Sequence, residues 1–178
     1  MFNDAWASQA LHMTLAAFVS TAFAAAGVHA FRLLKKPDSL LHRRALPIAL
    51  GMGAVSALLQ PLSGDFSAKD VAKRQPAKLA AMEAHYHTER GAGLLIGGWP
   101  NDETGEVRYG VRIPKLLSVL AHADPDAEVT GLDRIPEDER PPTLVCHIAF
   151  QLMVGSGMAL AGLSLLAIFA RFRRPHWL

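Results

Sequence analysis

Few side chains in this sequence are equipped for chemistry, and those few lie in unusual surroundings. His12 sits in Gln9-Ala10-Leu11-His12-Met13-Thr14, inside a run of 27 residues, Ala5 to Phe31, that has no Lys, Arg, Asp or Glu. A second histidine, His29, stands near the other end of that run. Met153 lies in Phe150-Gln151-Leu152-Met153-Val154-Gly155-Ser156-Gly157, within another uncharged stretch. An imidazole in apolar surroundings needs a partner. It is either hydrogen-bonded to a neighbouring helix or serves as an axial ligand to haem iron, which then needs a second ligand at similar depth. Met153 offers one, because small residues beside it let a flat macrocycle approach closely. A methionine alone is ordinary core packing.

A different pattern carries Lys78 and Glu83, five residues apart. On an ideal helix they point roughly 140° away from each other, so they do not form a salt-bridged pair. They either belong to a solvated helix or bracket a ligand at a membrane surface. A carboxylate accepts a proton and a lysine hydrogen-bonds an oxygen, as the two-electron, two-proton oxidation of a quinol requires. His85-Tyr86-His87 does not read as a metal pair, since residues i and i+2 of a helix diverge and no Cys or acidic cluster completes a set. Cys146 is the single cysteine, which excludes an internal disulfide; it is expected to pack at a helix end. Gly91-Ala92-Gly93 lacks the strand and helix of a nucleotide-binding loop. The basic residues form no aromatic-interleaved patch, so nucleic acid is not an expected partner.

The elements that must position these groups follow from where charge is missing. Uncharged runs cover Ala5–Phe31, Ala45–Gly64 and Pro141–Ala170, of 27, 20 and 30 residues. About 20 apolar residues of helix cross a hydrocarbon core of roughly 30 Å. The expected fold class is therefore an all-α membrane protein with three transmembrane helices and a long polar loop between the second and third. A soluble bundle would need polar stripes, yet Leu15 to Val28 carries only Ser20 and Thr21. The first run lacks the basic start of a signal peptide and leads into Arg32, Lys35 and Lys36. The three parts are 1–64 (two membrane helices and a basic turn), 65–140 (the loop) and 141–178 (the third helix and a basic tail).

The helices are expected at about Ala7–Leu33, at Pro47–Leu62 with Pro61 and Gly64 as the stop, and from Pro141 to Arg174. The first turn holds five Lys/Arg and the tail three. By the positive-inside tendency both face the cytoplasm and the loop faces the periplasm. Within the loop, Lys69–Thr88 reads as helix interrupted by Pro76, and Val107–Ile113 as one short strand.

Taken together, these segments resemble subunit I of cytochrome bd-type quinol oxidases. The resemblance is carried by Gly64-Asp65 through Val71-Ala72, Gln75-Pro76, Lys78-Leu79-Ala80-Ala81 and Glu83, which match the start of the family's quinol-binding loop, of the short, cyanide-insensitive-like type. It implies that Lys78 and Glu83 bind quinol and accept its proton. It further implies that His12 and Met153 are the iron ligands of the low-spin haem b, with Gln151 in the haem environment where some members have arginine. Ubiquinol or menaquinol, oxidase subunit II and the bilayer of a bacterial inner membrane are the implied partners. The family subunit has about nine helices, and this chain resembles the middle three. The haem b and haem d of the oxygen site are therefore expected only in a complete subunit. The chain reads as a truncated or split gene product, whose alternative role is a non-catalytic remnant, anchor or assembly partner.

Overall fold

The computed structural model describes residues Trp6–Arg173. In chain order its helices are α1 (Trp6–Lys35), α2 (Leu40–Arg74), α3 (Pro76–Met82), α4 (Leu116–His122) and α5 (Thr143–Arg173). The three long ones are apolar and long enough to cross a membrane. Arg174, counted with the basic tail above, lies outside the described residues.

The second helix corrects its expected boundaries. It starts earlier, at Leu40, and runs through both Pro47 and Pro61 to Arg74. A proline removes one donor and bends a helix, but the bonds on either side survive. Beyond Pro61, the Lys69–Asp65 ion pair of 2.6 Å spans one turn of the continuing helix.

Two compact units make up the chain, Met1–Gly64 with Ser156–Leu178, and Asp65–Gly155. In the first, the buried positions are mostly small, among them Ala22 and Ala26 of α1, Ala54, Ser56 and Ala57 of α2, Ala161 and Ser164 of α5. Small residues let helix backbones close up where no water drives apolar side chains together. A Cβ on Gly53 would lie 3.0 Å from the Phe23 ring, so α1 and α2 are in tight contact there. Large apolar residues such as Phe18, Ile48, Val55 and Phe169 are exposed, as lipid-facing side chains are.

The second unit is not all-α, which corrects the expected class to mostly helical. Six short strands form three antiparallel pairs. Glu89–Arg90 (β1) pairs with Glu128–Val129 (β6), Leu94–Ile96 (β2) with Val111–Ile113 (β5), and Trp99–Asn101 (β3) with Glu106–Arg108 (β4). The expected strand Val107–Ile113 is divided because Tyr109 takes a left-handed conformation (φ 60), which sends β4 and β5 to different partners. Ala72, Leu79, Ala92, Leu117, Ala121 and Val129 form the core beneath these pairs. Cys146, in the first turn of α5, packs against a second cluster of Ala80, Ala81 and Leu132.

Candidate functional site

Local chain geometry turns Glu83 inward. The helix expected over Lys69–Thr88 breaks at Gln75 and ends at Met82, leaving Glu83 as the C-terminal cap of α3. Ala84 is left-handed (φ 47), and the His85 and Ala84 amides donate to the carbonyls of Ala80 (2.8 Å) and Ala81 (3.3 Å). This is the Schellman arrangement, here with alanine where glycine is usual. The reversed chain is then tied down: Leu132 and Asp133 amides donate to His85 and Tyr86 carbonyls, and the Thr88 hydroxyl donates to Asp133 at 2.7 Å.

Glu83 is 5% exposed as a result, and its Oε2 has no hydrogen-bond partner among the described residues. Burial pushes its carboxyl up to about 7, with no charged side chain contributing. Lys78 projects from the exposed side of α3, and no described residue pairs with its ammonium. The two groups are not partners, in keeping with their angular separation. His85 and His87 also diverge. The first is buried with Nε2 3.3 Å from the Val129 carbonyl, its pKa lowered by desolvation, while His87 is exposed.

His12, in the first unit, is half-buried against α2. Its Nδ1 lies 3.0 Å from Ser63 Oγ, and that hydroxyl donates to the Gln60 carbonyl at 2.9 Å. With its hydrogen so directed, the Ser63 oxygen is the acceptor, and His12 carries its proton on Nδ1. The lone pair then belongs to Nε2. Gln60 Nε2 lies 3.4 and 3.3 Å from the two ring nitrogens and donates to the His12 carbonyl at 3.3 Å. An imidazole whose Nδ1–H is held by a hydroxyl is the form in which Nε2 can ligate iron. Met153, in the second unit, is exposed on α5, and a Cβ on nearby Gly155 would touch nothing within 4 Å. The helix surface there is open enough for a flat ring. Gln151 has a different engagement: its Oε1 accepts from the Gly97 amide (3.2 Å) and its Nε2 donates to the Leu95 carbonyl (2.9 Å).

Sequence comparison decides the lineage. The family profile described as cytochrome bd terminal oxidase subunit I matches residues 1–178. The chain belongs to that family. It is 37% identical over 186 residues to a Bacillus subtilis (strain 168) protein provisionally named cytochrome bd menaquinol oxidase subunit I, covering 99% of this chain and 42% of that protein. It is 29% identical over 154 residues to the cytochrome bd-II ubiquinol oxidase subunit 1 of Escherichia coli (strain K12), covering 86% and 30%. Its fold matches the bd oxidase structure from Geobacillus thermodenitrificans with a TM-score of 0.87 at 37% identity, over 97% of this chain and 40% of that one. The chain thus spans less than half the length of these subunit I relatives.

One buried residue escaped the sequence reading. His147 of α5 is fully buried, with Nδ1 2.8 Å from the Met82 carbonyl and Nε2 3.1 Å from the Gly97 carbonyl. Its signal was present: His147 and Gln151 are one turn apart on a helix that is otherwise almost free of large polar groups.

Proposed function

We propose that this chain forms the quinol-oxidising, electron-receiving part of a cytochrome bd-type oxidase in a bacterial membrane. One observation carries the reading: in a subunit I family member, Glu83 is a desolvated carboxyl with an unpartnered oxygen and a pKa near 7. Such a group exchanges protons at the pH at which a respiratory membrane works. Lys78 holds a quinone oxygen with its exposed ammonium, and Glu83 takes a proton from the hydroxyl as the quinol is oxidised. The relatives named above make ubiquinol and menaquinol the candidate substrates. His12 through Nε2 and Met153 through its sulfur hold a low-spin haem b, which when bound supplies the one-electron acceptor. Gln151 acts at one remove, holding loop backbone against the helix that bears Met153. Reduction of oxygen, with its haem b and haem d, belongs to the complete subunit together with subunit II. The loop from Asp65 to Arg140 lies on the periplasmic side.

The test is a reduced-minus-oxidised spectrum of the purified assembly containing this chain. A low-spin b-type signal that disappears in both His12→Ala and Met153→Ala, leaving that of the oxygen-site haem b, supports the ligand assignment. Retention of that signal in either variant overturns it. Unchanged quinol turnover in Glu83→Gln would remove the proton acceptor from the reading.

A further inference from the structure

His147 is a buried, hydrogen-bonding side chain to which the quinol reaction above gives no role. Both ring nitrogens face carbonyl oxygens, which are acceptors only. An N···O separation of 2.8 Å without an intervening hydrogen would be repulsive, so the shorter contact fixes a proton on Nδ1, donated to Met82. Met82 is the last residue of α3 and immediately precedes Glu83. Its carbonyl belongs to the last turn, whose acceptors lack partners within the helix. The other side of the ring meets the turn between β2 and β3. There Gly97, left-handed at φ +66, directs its carbonyl to His147 and its amide to Gln151. One turn of α5 thereby ties the end of α3 to the β2–β3 turn, with the Glu83 backbone bonded directly to the tied residue.

We propose that His147 is a positioning residue for Glu83, holding the end of α3 through the Met82 carbonyl so that the carboxyl stays out of water. The inference rests on the reading of Glu83 as proton acceptor, but it concerns a contact that can be removed separately. Asparagine places its amide nitrogen near the position of Nδ1, and glutamine places its own near Nε2. His147→Asn therefore keeps the Met82 bond and loses the contact with the Gly97 carbonyl, while His147→Gln keeps a polar group at Gly97 and loses the Met82 bond.

The experiment is an infrared titration of the Glu83 carboxyl in the full chain in its membrane assembly, the band being assigned by its loss in Glu83→Gln. The native midpoint is expected near 7. His147→Asn keeps it there, whereas in His147→Gln it falls by about one pH unit as water reaches the loosened helix end. The Michaelis constant for quinol rises several-fold in the glutamine variant alone. Equal midpoints in the two variants, or a fall in the asparagine variant only, overturn the proposal, because loss of ring volume would act on both alike. Unchanged turnover in Glu83→Gln would sink the functional reading instead, and the titration would still decide the positioning role.

Discussion

At Glu83 the protonated form is favoured because the ionised form would sit, 5% exposed, without a compensating donor or cation. Linkage turns that into a stability profile. The carboxyl's folded-state pKa, about 7, lies above its ordinary range. The stabilisation is complete below that ordinary range and is lost as pH rises through about 7. His85 has the opposite sign: desolvation lowers its pKa, so its contribution is present above the usual imidazole range and is lost as pH falls. Glu83→Gln separates the two, since it keeps His85 and stays neutral at every pH. Its stability should match the native protein's near pH 5 and exceed it at pH 8 by up to about 3 kcal/mol. Thermal melts in detergent across that range check this, and parallel curves would contradict it. Turnover has the converse dependence, because only the carboxylate accepts a proton. The native rate should rise with pH through about 7, a limb that Glu83→Gln lacks.

Helix boundaries and loop strands show what the sequence could and could not convey about its elements. Uncharged length alone located the three long helices, since nothing else accommodates such a run of apolar residues. Their ends were harder to place. Pro61 and Gly64 carry the local signature of a stop, yet the helix continues, because the residues after them keep helical bonds and an ion pair. Lys78 and Glu83 could be named from spacing and resemblance, while the burial of Glu83 depends on Ala84 turning left-handed, which alanine does not advertise. His147 was hidden for a related reason, as its partners are backbone carbonyls distant in sequence. The loop's cohesion rests on one such close approach. At Gly131 a Cβ would lie 2.5 Å from the His87 carbonyl carbon and 2.6 Å from the Thr88 amide nitrogen, both main-chain atoms that cannot step aside. Gly131→Ala should therefore cost the loop about 2 kcal/mol or more. Limited trypsinolysis reads this as cleavage after exposed Arg90 and Arg134 at least roughly tenfold faster, with α1 left intact. An unchanged cleavage rate would mean that the loop has another register available.

For the molecule as a whole, sidedness decides on which membrane face the loop that carries Glu83 lies. The turn between α1 and α2 and the helix ends beside it carry Arg32, Lys35, Lys36, Arg43 and Arg44, all exposed. The loop carries more charge of both signs, but long loops weigh little in orientation. With three spans, the turn and the loop emerge on opposite faces, and the orientation proposed above puts the basic turn in the cytoplasm. This is testable with the protein's own chemistry, because Cys146 is its single cysteine. In a Cys146→Ala background, single cysteines at Asp38 in the turn and Glu103 in the β3–β4 connection occupy exposed positions. A membrane-impermeant maleimide applied to spheroplasts should label the Glu103→Cys chain and spare Asp38→Cys, with inverted vesicles giving the reverse. Labelling of Asp38→Cys from outside would place the Glu83 carboxyl at the cytoplasmic face, so that protons from quinol would be released inward. Labelling of both from one side would mean that α2 does not cross. In the proposed orientation, proton release on the outer face requires the five basic residues in and beside this turn to hold it in the cytoplasm.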